Sequence, residues 1–429
     1  MKSRFKHIQP FVLPLAAAVV LGVAACDEQL DAGLACPAFC PVQERTISDT
    51  TMFAVEVDTS IAGYPTFGAE GELFIASLGD TLDTRGVIRY DSLPNTFRHA
   101  NSAEDSTIYA VDSAFIRLRL STNDTLTAPV TVEAYDVDLG GPDNDDPTLA
   151  ATAFTADRLL GTRTFAANEL KDSIAVPIDN NKLLAKTQLA PPDNRLRVGI
   201  RVAPTGRARL SFFTSNAQGS PLLEFRPSTD TTVRKYSLVA RSKFPTDPAQ
   251  ETIASDLADY LLVVKAPPEP PADVLRVGGA PGHRVYFRFN IPSRILDSTS
   301  IVRATLQLTQ RPAPFSPDRD SLTNVRQYAV TVGPEVTEIR RALLFLTSST
   351  SDSVLMTPVD SGVRNFEMIG LVRAWRNTSP TRTPRAFALR SASEGHDARQ
   401  ADFFSNEAPV EVRPRLHLFY LAKQPQGIP

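Results

Sequence analysis

The chain has 429 residues, of which 42% are hydrophobic and 22% charged, and its net charge is −3 at neutral pH. This length corresponds to about two or three domains, and the apolar fraction is sufficient for folded cores. Without a basic excess, nucleic acid is not expected as the main partner. Proline occurs 34 times and tryptophan once. Many prolines among short apolar runs favour β-structure with frequent turns over a helix bundle.

The N-terminal segment has the pattern of a bacterial export signal. Basic residues at positions 2, 4 and 6 precede an apolar run at 11–23, which is too short for a stable membrane span. The run ends in Val-Ala-Ala-Cys at 23–26, which resembles the lipobox of bacterial lipoproteins. The resemblance implies that residues 1–25 are a signal peptide, that Cys26 carries the lipid, and that the mature protein is anchored to a membrane of the cell envelope.

Two questions about this anchor stay open. An ordinary secretory signal followed by a chance cysteine is the alternative to lipidation. The outer membrane or the cell surface is the favoured location. However, an acidic residue such as Asp27 after the lipidated cysteine marks inner-membrane retention in some bacteria and surface export in others.

Residues 26–45 are expected to form a tether. They contain Cys36 and Cys40, the other two cysteines of the chain. Outside the cytoplasm, two thiols this close are expected to oxidise to a disulfide that closes a small loop. A metal site is the alternative, but two thiolates without a nearby histidine provide only half of a zinc site.

Two stretches with the same pattern organise the rest of the chain. Arg89 and Arg288 each lie between two apolar residues, in runs at 85–94 and 284–292 that end in proline. This period of two predicts half-buried strands with the arginine on the face opposite to the apolar residues. Proline cannot donate to a strand ladder and therefore ends each strand. The flanking apolar residues are Ile88 and Tyr90 in the first run and Phe287 and Phe289 in the second.

Many short alternating runs with turn-rich connections predict an all-β fold of two tandem antiparallel β-sandwich modules. The predicted modules span 46–229 and 230–421, followed by a tail at 422–429. The join is expected near 226–232, where the apolar pattern is interrupted. We expect each module to fold alone, because each has its own complete set of alternating strands.

The spacing of landmarks indicates that the two modules are an internal duplication. Arg89 and Asn216 are 127 positions apart, and Arg288 and Asn406 are 118 apart. This is a repeat of domain size and not a solenoid. The expected equivalences are Arg89 with Arg288, Ile88 and Tyr90 with Phe287 and Phe289, and Leu223 and Phe225 with Leu416 and Leu418.

The second module resembles the bacterial secreted DNRLRE-type domain, also described as a carbohydrate-binding module of the family-96 kind. The resemblance lies in Arg288-Phe289-Asn290 with Pro292, the strand at 304–308, Met368 to Trp375, Phe404 to Ala408 and Arg413 to Leu416. It covers most of 255–421, lacks the tryptophan-rich segments of such domains, and extends only loosely to the first module. It implies a jelly-roll sandwich and an association with polysaccharides, including polymers of uronic acids.

An acidic loop at 136–147 is the candidate metal site. Dense carboxylates on a Gly/Pro-rich loop are a ligand set for Ca²⁺. The spacing does not match an EF-hand loop, and a solvated acidic turn is the alternative. The candidate ligands are Asp136, Asp138, Asp143 and Asp145.

Arg89, Arg288 and Trp375 each allow two interpretations. The arginines could bind the carboxylate of a sugar, or they could pair with an Asp or Glu of a neighbouring strand, which we favour. Trp375 could be a platform on which a sugar stacks, but it lies in an apolar stripe with helical spacing at 366–375, so it is expected in the core.

No catalytic motif is present in the sequence. It contains no Gly-x-Ser-x-Gly and no His-Glu-x-x-His, and its five histidines lack ligand-like spacing. Carboxylate pairs of the glycosidase kind come together only in the fold. The prediction is a non-catalytic, lipid-anchored envelope protein that binds extracellular polysaccharide and needs no cofactor. The alternative is a structural spacer or adhesion protein that docks another envelope protein.

Overall fold

A computed structural model describes residues 47–52, 55–64, 71–99, 102–121, 128–140, 147–191, 193–204, 207–215, 219–240, 259–317, 319, 321–330, 346–376 and 385–422. The part of the chain from Ile47 onward forms one compact unit. In the described part, none of the helices has the length and apolar character that a bilayer crossing requires.

The predicted all-β class is confirmed, because the described residues form mainly antiparallel strands with a few short helices. The first fifteen strands are β1 (Ile47–Met52), β2 (Val55–Tyr64), β3 (Glu72–Ser77), β4 (Asp83–Tyr90), β5 (Thr96–Arg98), β6 (Asp105–Thr107), β7 (Ser113–Arg119), β8 (Val130–Asp136), β9 (Leu159–Phe165), β10 (Ser173–Pro177), β11 (Leu196–Val202), β12 (Ala208–Phe213), β13 (Leu222–Arg226), β14 (Tyr236–Val239) and β15 (Asp259–Lys265). Helices α1 (Pro147–Thr152) and α2 (Asn180–Thr187) lie between them.

The remaining elements follow in the second half of the chain. The strands are β16 (Val274–Gly278), β17 (Gly282–Phe289), β18 (Thr299–Arg311), β19 (Thr323–Val330), β20 (Leu346–Met356), β21 (Gly362–Glu367), β22 (Ala386–Ser391), β23 (Gln400–Phe404) and β24 (Arg415–Ala422). The helices are α3 (Ser293–Ser298) and α4 (Ile369–Arg376).

The N-terminal sandwich contains a long and a short sheet. The long sheet has the order β12-β3-β4-β11-β8-β9, with β15 also paired to β4, and the short sheet has the order β10-β7-β13-β14. Apolar residues from both sheets form one core between them. Strands β5 and β6 form a separate hairpin.

The C-terminal sandwich repeats this arrangement strand for strand. Its long sheet has the order β23-β16-β17-β22-β19-β20 with β2 paired to β17, and its short sheet has the order β21-β18-β24-β1. A short pairing of β18 with β23 joins the two sheets. A bridge between Leu120 and Phe212 joins the equivalent strands of the N-terminal sandwich.

The predicted register of the duplication is confirmed by the strand pairing. Ile88 lies opposite Asp259, and Phe287 lies opposite Asp58, so that Arg89 and Arg288 are equivalent. The predicted inward residues Ile88, Tyr90, Phe287 and Phe289 are all buried. The alternation fixes this register, since a slip of one residue would expose every apolar side chain. The later strands agree, because Leu223 lies opposite Ile116 and Leu416 lies opposite Leu306.

The predicted module boundary at 229/230 requires a correction. Strands β1 and β2 precede it but pair with β24 and β17 of the C-terminal sandwich. Strands β14 and β15 follow it but pair with β13 and β4 of the N-terminal sandwich. The exchange is reciprocal, so equivalent strands still occupy equivalent places in the two sandwiches. The halves cut at this boundary do not each contain a complete sandwich, so the expectation that each module folds alone is wrong. Local alternation identifies strands and cannot reveal which sheet edge each one pairs with.

The two sandwiches also contact each other directly. Phe74, Ala76 and Leu82 of the N-terminal sandwich form a small apolar cluster with Ala280 and Ala398 of the C-terminal sandwich. The Ser211 hydroxyl donates a hydrogen bond of 3.0 Å to the main-chain oxygen of His396. The contacts and the exchanged strands together tie the two sandwiches into one structure.

Candidate functional site

The outer face of each long sheet carries equivalent arginine and tyrosine side chains. On β4, Arg85 and Arg89 alternate with buried inward residues and therefore lie on the face away from the core. We call this surface of each long sheet its outer face. The strand register makes the following residues equivalent: Arg85 and Arg284, Arg89 and Arg288, Arg201 and Arg390, and Tyr135 and Tyr328.

In the N-terminal sandwich, Arg85 and Arg89 each pair with a carboxylate two residues away along the chain. The Arg89 Nε donates to Asp91 Oδ1 at 2.6 Å, and the arginine is only 8% exposed. Arg85 donates to both oxygens of Asp83, at 3.2 and 2.7 Å. The structural interpretation of Arg89 therefore holds, except that its partner lies two residues along the same segment and not on a neighbouring strand.

Arg201 also has a carboxylate partner on this face. Its Nε donates to Glu133 at 2.7 Å, and its guanidinium lies 4.8 Å from the centre of the Tyr135 ring. The Tyr135 hydroxyl donates to Glu133 at 2.7 Å. Burial, followed by this hydrogen bond to a carboxylate, raises the pKa of Tyr135 to about 12. Stacking on the ring and pairing with the carboxylate hold the guanidinium in place.

Part of the same face is covered by the segment around α1. Phe154 packs against a cluster that includes Val87, Tyr135 and Tyr260. The guanidinium of Arg85 lies 4.6 Å from the centre of the Phe154 ring. The outer face of the N-terminal sandwich is thus partly occupied by its own chain.

In the C-terminal sandwich, the carboxylates that balance the first face are missing. The register places other residue types at all three positions, and a single glutamate from the loop after β22 partly replaces them. The replacements are Gly282 for Asp83, Asn290 for Asp91 and Arg326 for Glu133.

Glu394 is that single glutamate, and it is shared by two arginines. It accepts hydrogen bonds from Nε and Nη2 of Arg284 at 2.8 and 2.5 Å, and both side chains are 0% exposed. Its Oε2 also lies 2.8 Å from Nε of Arg390. Arg284 and Glu394 are fully buried, whereas Arg390 is partly exposed. The low-dielectric setting therefore makes Arg284 and Glu394 strongly dependent on each other.

The cationic side chains of this face therefore outnumber its carboxylates among the residues compared. Arg326 is exposed and has no ion-pair partner in the described part of the chain. It lies opposite Arg390, and Arg390 stacks 5.6 Å from the centre of the Tyr328 ring. Arg288 on β17 is half-buried. Among the compared residues, four arginines thus share one glutamate. Arg284 is fully buried, so the positive charge within reach of an anion is that of the exposed Arg326 and the partly exposed Arg390.

A second feature shared by the two halves joins the exchanged strands to the sandwiches. Asp259 of β15 accepts hydrogen bonds from the main-chain N–H of Ser215, at 2.6 Å, and from its hydroxyl. Asp58 of β2 accepts one from the main-chain N–H of Asn406 at 2.6 Å. Burial raises the pKa of both carboxyls, that of Asp259 to about 6. Ser215 and Asn406 follow the equivalent strands β12 and β23, so each Asp fastens an exchanged strand to the same turn.

The sequence ending that carries the family resemblance forms a compact turn here. The Ser405 hydroxyl donates to the main-chain oxygen of Ala272 at 3.1 Å and also contacts Glu407. Arg413 Nε donates to the main-chain oxygen of Ala408 at 2.6 Å. These side chains therefore stabilise the connection between β23 and β24.

The acidic loop pairs with cations of its own chain. Asp136 lies 3.0 Å from Nζ of Lys186, and Asp138 accepts from Arg195 Nε at 3.2 Å. Burial alone would raise the pKa of Asp138, but the hydrogen bonds from Arg195 and Gly140 and the charge of Lys186 hold it below its ordinary value. In the described ranges no group of three or more His, Cys, Asp or Glu has the arrangement of a metal site.

Several predicted positions lie outside the described residues. These are Cys26, Cys36, Cys40, Asp143, Asp145 and Asn216.

Trp375 lies in the core, as predicted. It is 3% exposed and stacks on Phe387 with ring centroids 6.4 Å apart. The predicted helix over 366–375 is partly wrong, because β21 continues to Glu367 and helix α4 begins at Ile369. Phe366 belongs to the strand, where it is buried opposite Leu306.

The local sequence does not reveal Glu394, Asp58 and Asp259 as buried or bridging groups. Glu394 lies in a polar loop whose local sequence does not mark it as buried. Asp58 and Asp259 sit beside apolar strand residues, and an isolated carboxylate at the edge of a predicted strand is the only signal that could have identified them.

Comparisons with known proteins identify no family. No family model matches the chain, and no curated protein is similar to it. Among solved structures it is similar to that of the infectious bursal disease virus VP2 subviral particle, with 10% identity over 89% of this chain and 77% of the other and a TM-score of 0.12. A structure of the T13 particle of the same virus gives 10% identity, coverages of 88% and 74%, and a TM-score of 0.12. Scores this low carry no argument about fold or function.

Proposed function

We propose that this protein is a lipid-anchored component of the bacterial cell envelope and that its C-terminal sandwich binds an anionic extracellular polysaccharide without catalysis. The observation that carries the proposal is the loss of all three balancing carboxylates from the outer face of the C-terminal long sheet. Arg326 replaces Glu133 there, next to Arg390 and Tyr328. A polymer of uronic acids supplies carboxylates at regular intervals, and each of them can accept from a guanidinium. The resemblance to DNRLRE-type domains supports the same ligand class.

The chemistry of the face suits retention of a polymer rather than its cleavage. Arginine remains charged at every physiological pH and presents planar donors to a carboxylate. Tyr328 adds an aromatic surface against which a sugar ring can pack. Glu394 is fully buried between Arg284 and Arg390, so it is a partner of the arginines and is not accessible as a general acid.

A glycan array tests the proposal with the soluble unit 47–429 and one charge reversal. We expect binding to polyuronates but not to neutral glucans, and weaker binding at high salt because exposed charges are screened. Arg326→Glu is expected to weaken binding by about tenfold or more. Arg294→Glu is the matched control, since Arg294 is exposed on α3 and lies off this face. Absence of polyuronate binding, or equal binding by both variants, would contradict the proposal.

The second candidate function is a spacer or adhesion unit that docks another envelope protein. The reciprocal exchange of strands favours it, because two sandwiches tied by four shared strands resist separation. A chain that binds no glycan but forms reproducible crosslinks to one envelope protein in intact cells would support this function. If Arg326→Glu leaves this crosslinking unchanged, docking does not depend on the arginine that is expected to bind polysaccharide, and the docking function is favoured.

A further inference from the structure

A buried glutamine of the C-terminal sandwich lies against the turn between β20 and β21. Gln310 is near the end of β18, opposite Gly362 and Phe403, and is 1% exposed. Its Nε2 donates to the main-chain oxygen of Thr357 at 2.7 Å. The carbonyl carbon of the carboxamide is one bond away from Nε2 and therefore lies within about 4 Å of that oxygen. The carboxamide of Gln310 is thus a direct neighbour of the residue that begins the turn.

The oxygen of this carboxamide is held by a guanidinium. Arg364 Nε donates to Gln310 Oε1 at 2.7 Å. Because arginine has no acceptor, the atom that faces it must be the carbonyl oxygen, and the nitrogen must face Thr357. A fixed cationic donor at a carbonyl oxygen stabilises the negative charge that develops there when a nucleophile adds to the carbon. The carbonyl of Gln310 is therefore polarised for attack.

The turn supplies a hydroxyl next to this carbonyl. The Thr357 Oγ1 atom is buried and makes no hydrogen bond of ordinary geometry with the residues that the structure describes. A buried hydroxyl that has lost its water without gaining a partner is costly in free energy. Threonine hydroxyls act as nucleophiles when a base lies beside them. The unsatisfied Thr357 hydroxyl is thus a candidate nucleophile.

A carboxylate of the same turn is placed to act as the base. Asp360 Oδ2 accepts from the main-chain N–H of Thr357 at 3.2 Å and from Arg364 Nη2 at 3.0 Å. The main-chain N–H of Thr357 is the largest cause that holds the pKa of Asp360 below its ordinary value, and the nearby Thr357 hydroxyl and the charge of Arg364 add to it. Asp360 is therefore ionised at neutral pH, which is the state that accepts a proton.

We propose that Thr357 and Gln310 form an intramolecular ester that crosslinks the turn to β18. Oγ1 of Thr357 adds to Cδ of Gln310, Asp360 takes the hydroxyl proton, and Arg364 stabilises the negative oxygen of the tetrahedral intermediate. The C–N bond of the carboxamide then breaks, and the proton passes to the leaving nitrogen, which departs as ammonia. One ester and one ammonia are formed, and the step needs neither an oxidant nor a cofactor.

The ester gives the C-terminal sandwich a covalent restraint that cysteine does not supply. The chain contains no cysteine after position 40. Gln310 and Thr357 are 47 positions apart, and a bond between them restricts the unfolded chain as a disulfide does. Gln310 belongs to the short pairing of β18 with β23 that joins the two sheets. The crosslink therefore fastens the turn at the place where the two sheets meet, independently of any polysaccharide.

Peptide mapping of the full chain tests for the ester. Trypsin leaves Gln310 in the peptide 304–319, because Arg311 precedes a proline, and it leaves Thr357 in the peptide 342–364. We expect one species whose mass is lower than the sum of the two peptides by one ammonia. Hydroxylamine cleaves esters but not amides, so it should separate the two peptides. Recovery of both peptides unlinked from folded protein kept for days at neutral pH would overturn the proposal, as would a link that resists hydroxylamine.

Variants of Thr357 separate the role of its hydroxyl from packing. Thr357→Val retains the shape of the side chain but removes the nucleophile, so the two peptides should be recovered unlinked. Thr357→Ser keeps a hydroxyl and should retain the link. Thr305→Val is the matched control, because the Thr305 hydroxyl is also buried without a partner among the described residues and lies on the same strand as Gln310. A link that persists in Thr357→Val, or one that is lost in Thr305→Val, would overturn the proposal.

The role of Asp360 is tested by the rate at which the linked species appears. Asp360→Asn retains an oxygen that can accept from the main chain of Thr357 but is a much weaker base. We expect it to slow formation of the link by about a hundredfold, as loss of a general base does. The linked fraction is followed by peptide mapping from the moment of purification. Equal rates in the native chain and in Asp360→Asn would overturn the proposed reaction.

Discussion

Asp58 and Asp259 lie at equivalent positions of the two sandwiches, and each accepts a hydrogen bond from the turn that follows an equivalent strand. Asp58 binds the main chain of Asn406, and Asp259 binds that of Ser215. Each carboxylate belongs to a strand that one half of the chain contributes to the sandwich of the other half. The two aspartates therefore mark the places where the duplicated halves interlock.

The buried carboxyl of Asp259 is expected to make stability depend on pH. Its folded-state pKa of about 6 lies above the value of ~3.9 for an unfolded aspartate. Folding thus disfavours the ionised form, and the stability contributed by the protonated group is full below pH ~4 and falls as the pH rises to ~6. Asp259→Asn retains an oxygen that can accept from Ser215, so it should remove this decline, which amounts to ~3 kcal/mol at most.

Urea unfolding at pH 4 and pH 7 measures the effect for the native chain and for Asp259→Asn. The difference between the two pH values should be smaller in the variant. Asp58→Asn is the companion variant, with a change in the same direction but smaller, because Asp58 is only partly buried. Identical pH dependence in the native chain and Asp259→Asn would rule out this role.

Trp375→Ala is expected to lower the free energy of unfolding by ~3–5 kcal/mol, because it leaves a cavity in the C-terminal core. Trp375 is buried against Phe387 and is the single tryptophan of the chain. Thermal melting followed by circular dichroism provides the measurement, and Trp375→Phe should lose less. If Trp375→Ala melts at the native temperature but loses polysaccharide binding, the core assignment is wrong.

Glu394→Gln is expected to destabilise the C-terminal sandwich by ~3–5 kcal/mol, since it leaves the buried Arg284 without its ionised partner. Asp105→Asn is the matched control, because the Arg98–Asp105 pair has the same chemistry but is exposed and should contribute nothing measurable. Chemical denaturation measures the free energy of unfolding of both variants. Equal stabilities would show that the buried pair is not a major determinant of the fold.

Cys26→Ser is expected to prevent lipid attachment, because the thiol of the lipobox-like sequence is the group that would be modified. Expression in a bacterial host with a fatty-acid probe should label the native chain and leave the variant unlabelled and unprocessed. Cys36→Ser serves as the control and should retain the label. Undiminished labelling of Cys26→Ser would contradict lipid attachment at Cys26.

Local sequence predicted the strands and their register well. Alternation around Arg89 and Arg288 placed Ile88, Tyr90, Phe287 and Phe289 in the core, where all four are buried. It also identified the duplication and the burial of Trp375. These features follow from side-chain direction within a single strand, which a sequence specifies residue by residue.

Only the tertiary structure decided which strands share a sheet and which charges meet. Residues 47–64 resemble any strand pair at the start of a module, yet they complete the sandwich formed by 274–422. Glu394 lies 110 positions from Arg284, and the two form a fully buried ion pair. Main-chain hydrogen bonds along a strand edge do not depend on side-chain identity, and ion pairs depend on distances set by the whole fold. For this reason the alternation of residues determined the strands, whereas the exchange between the two halves and the uneven charge of their outer faces were determined by packing in three dimensions.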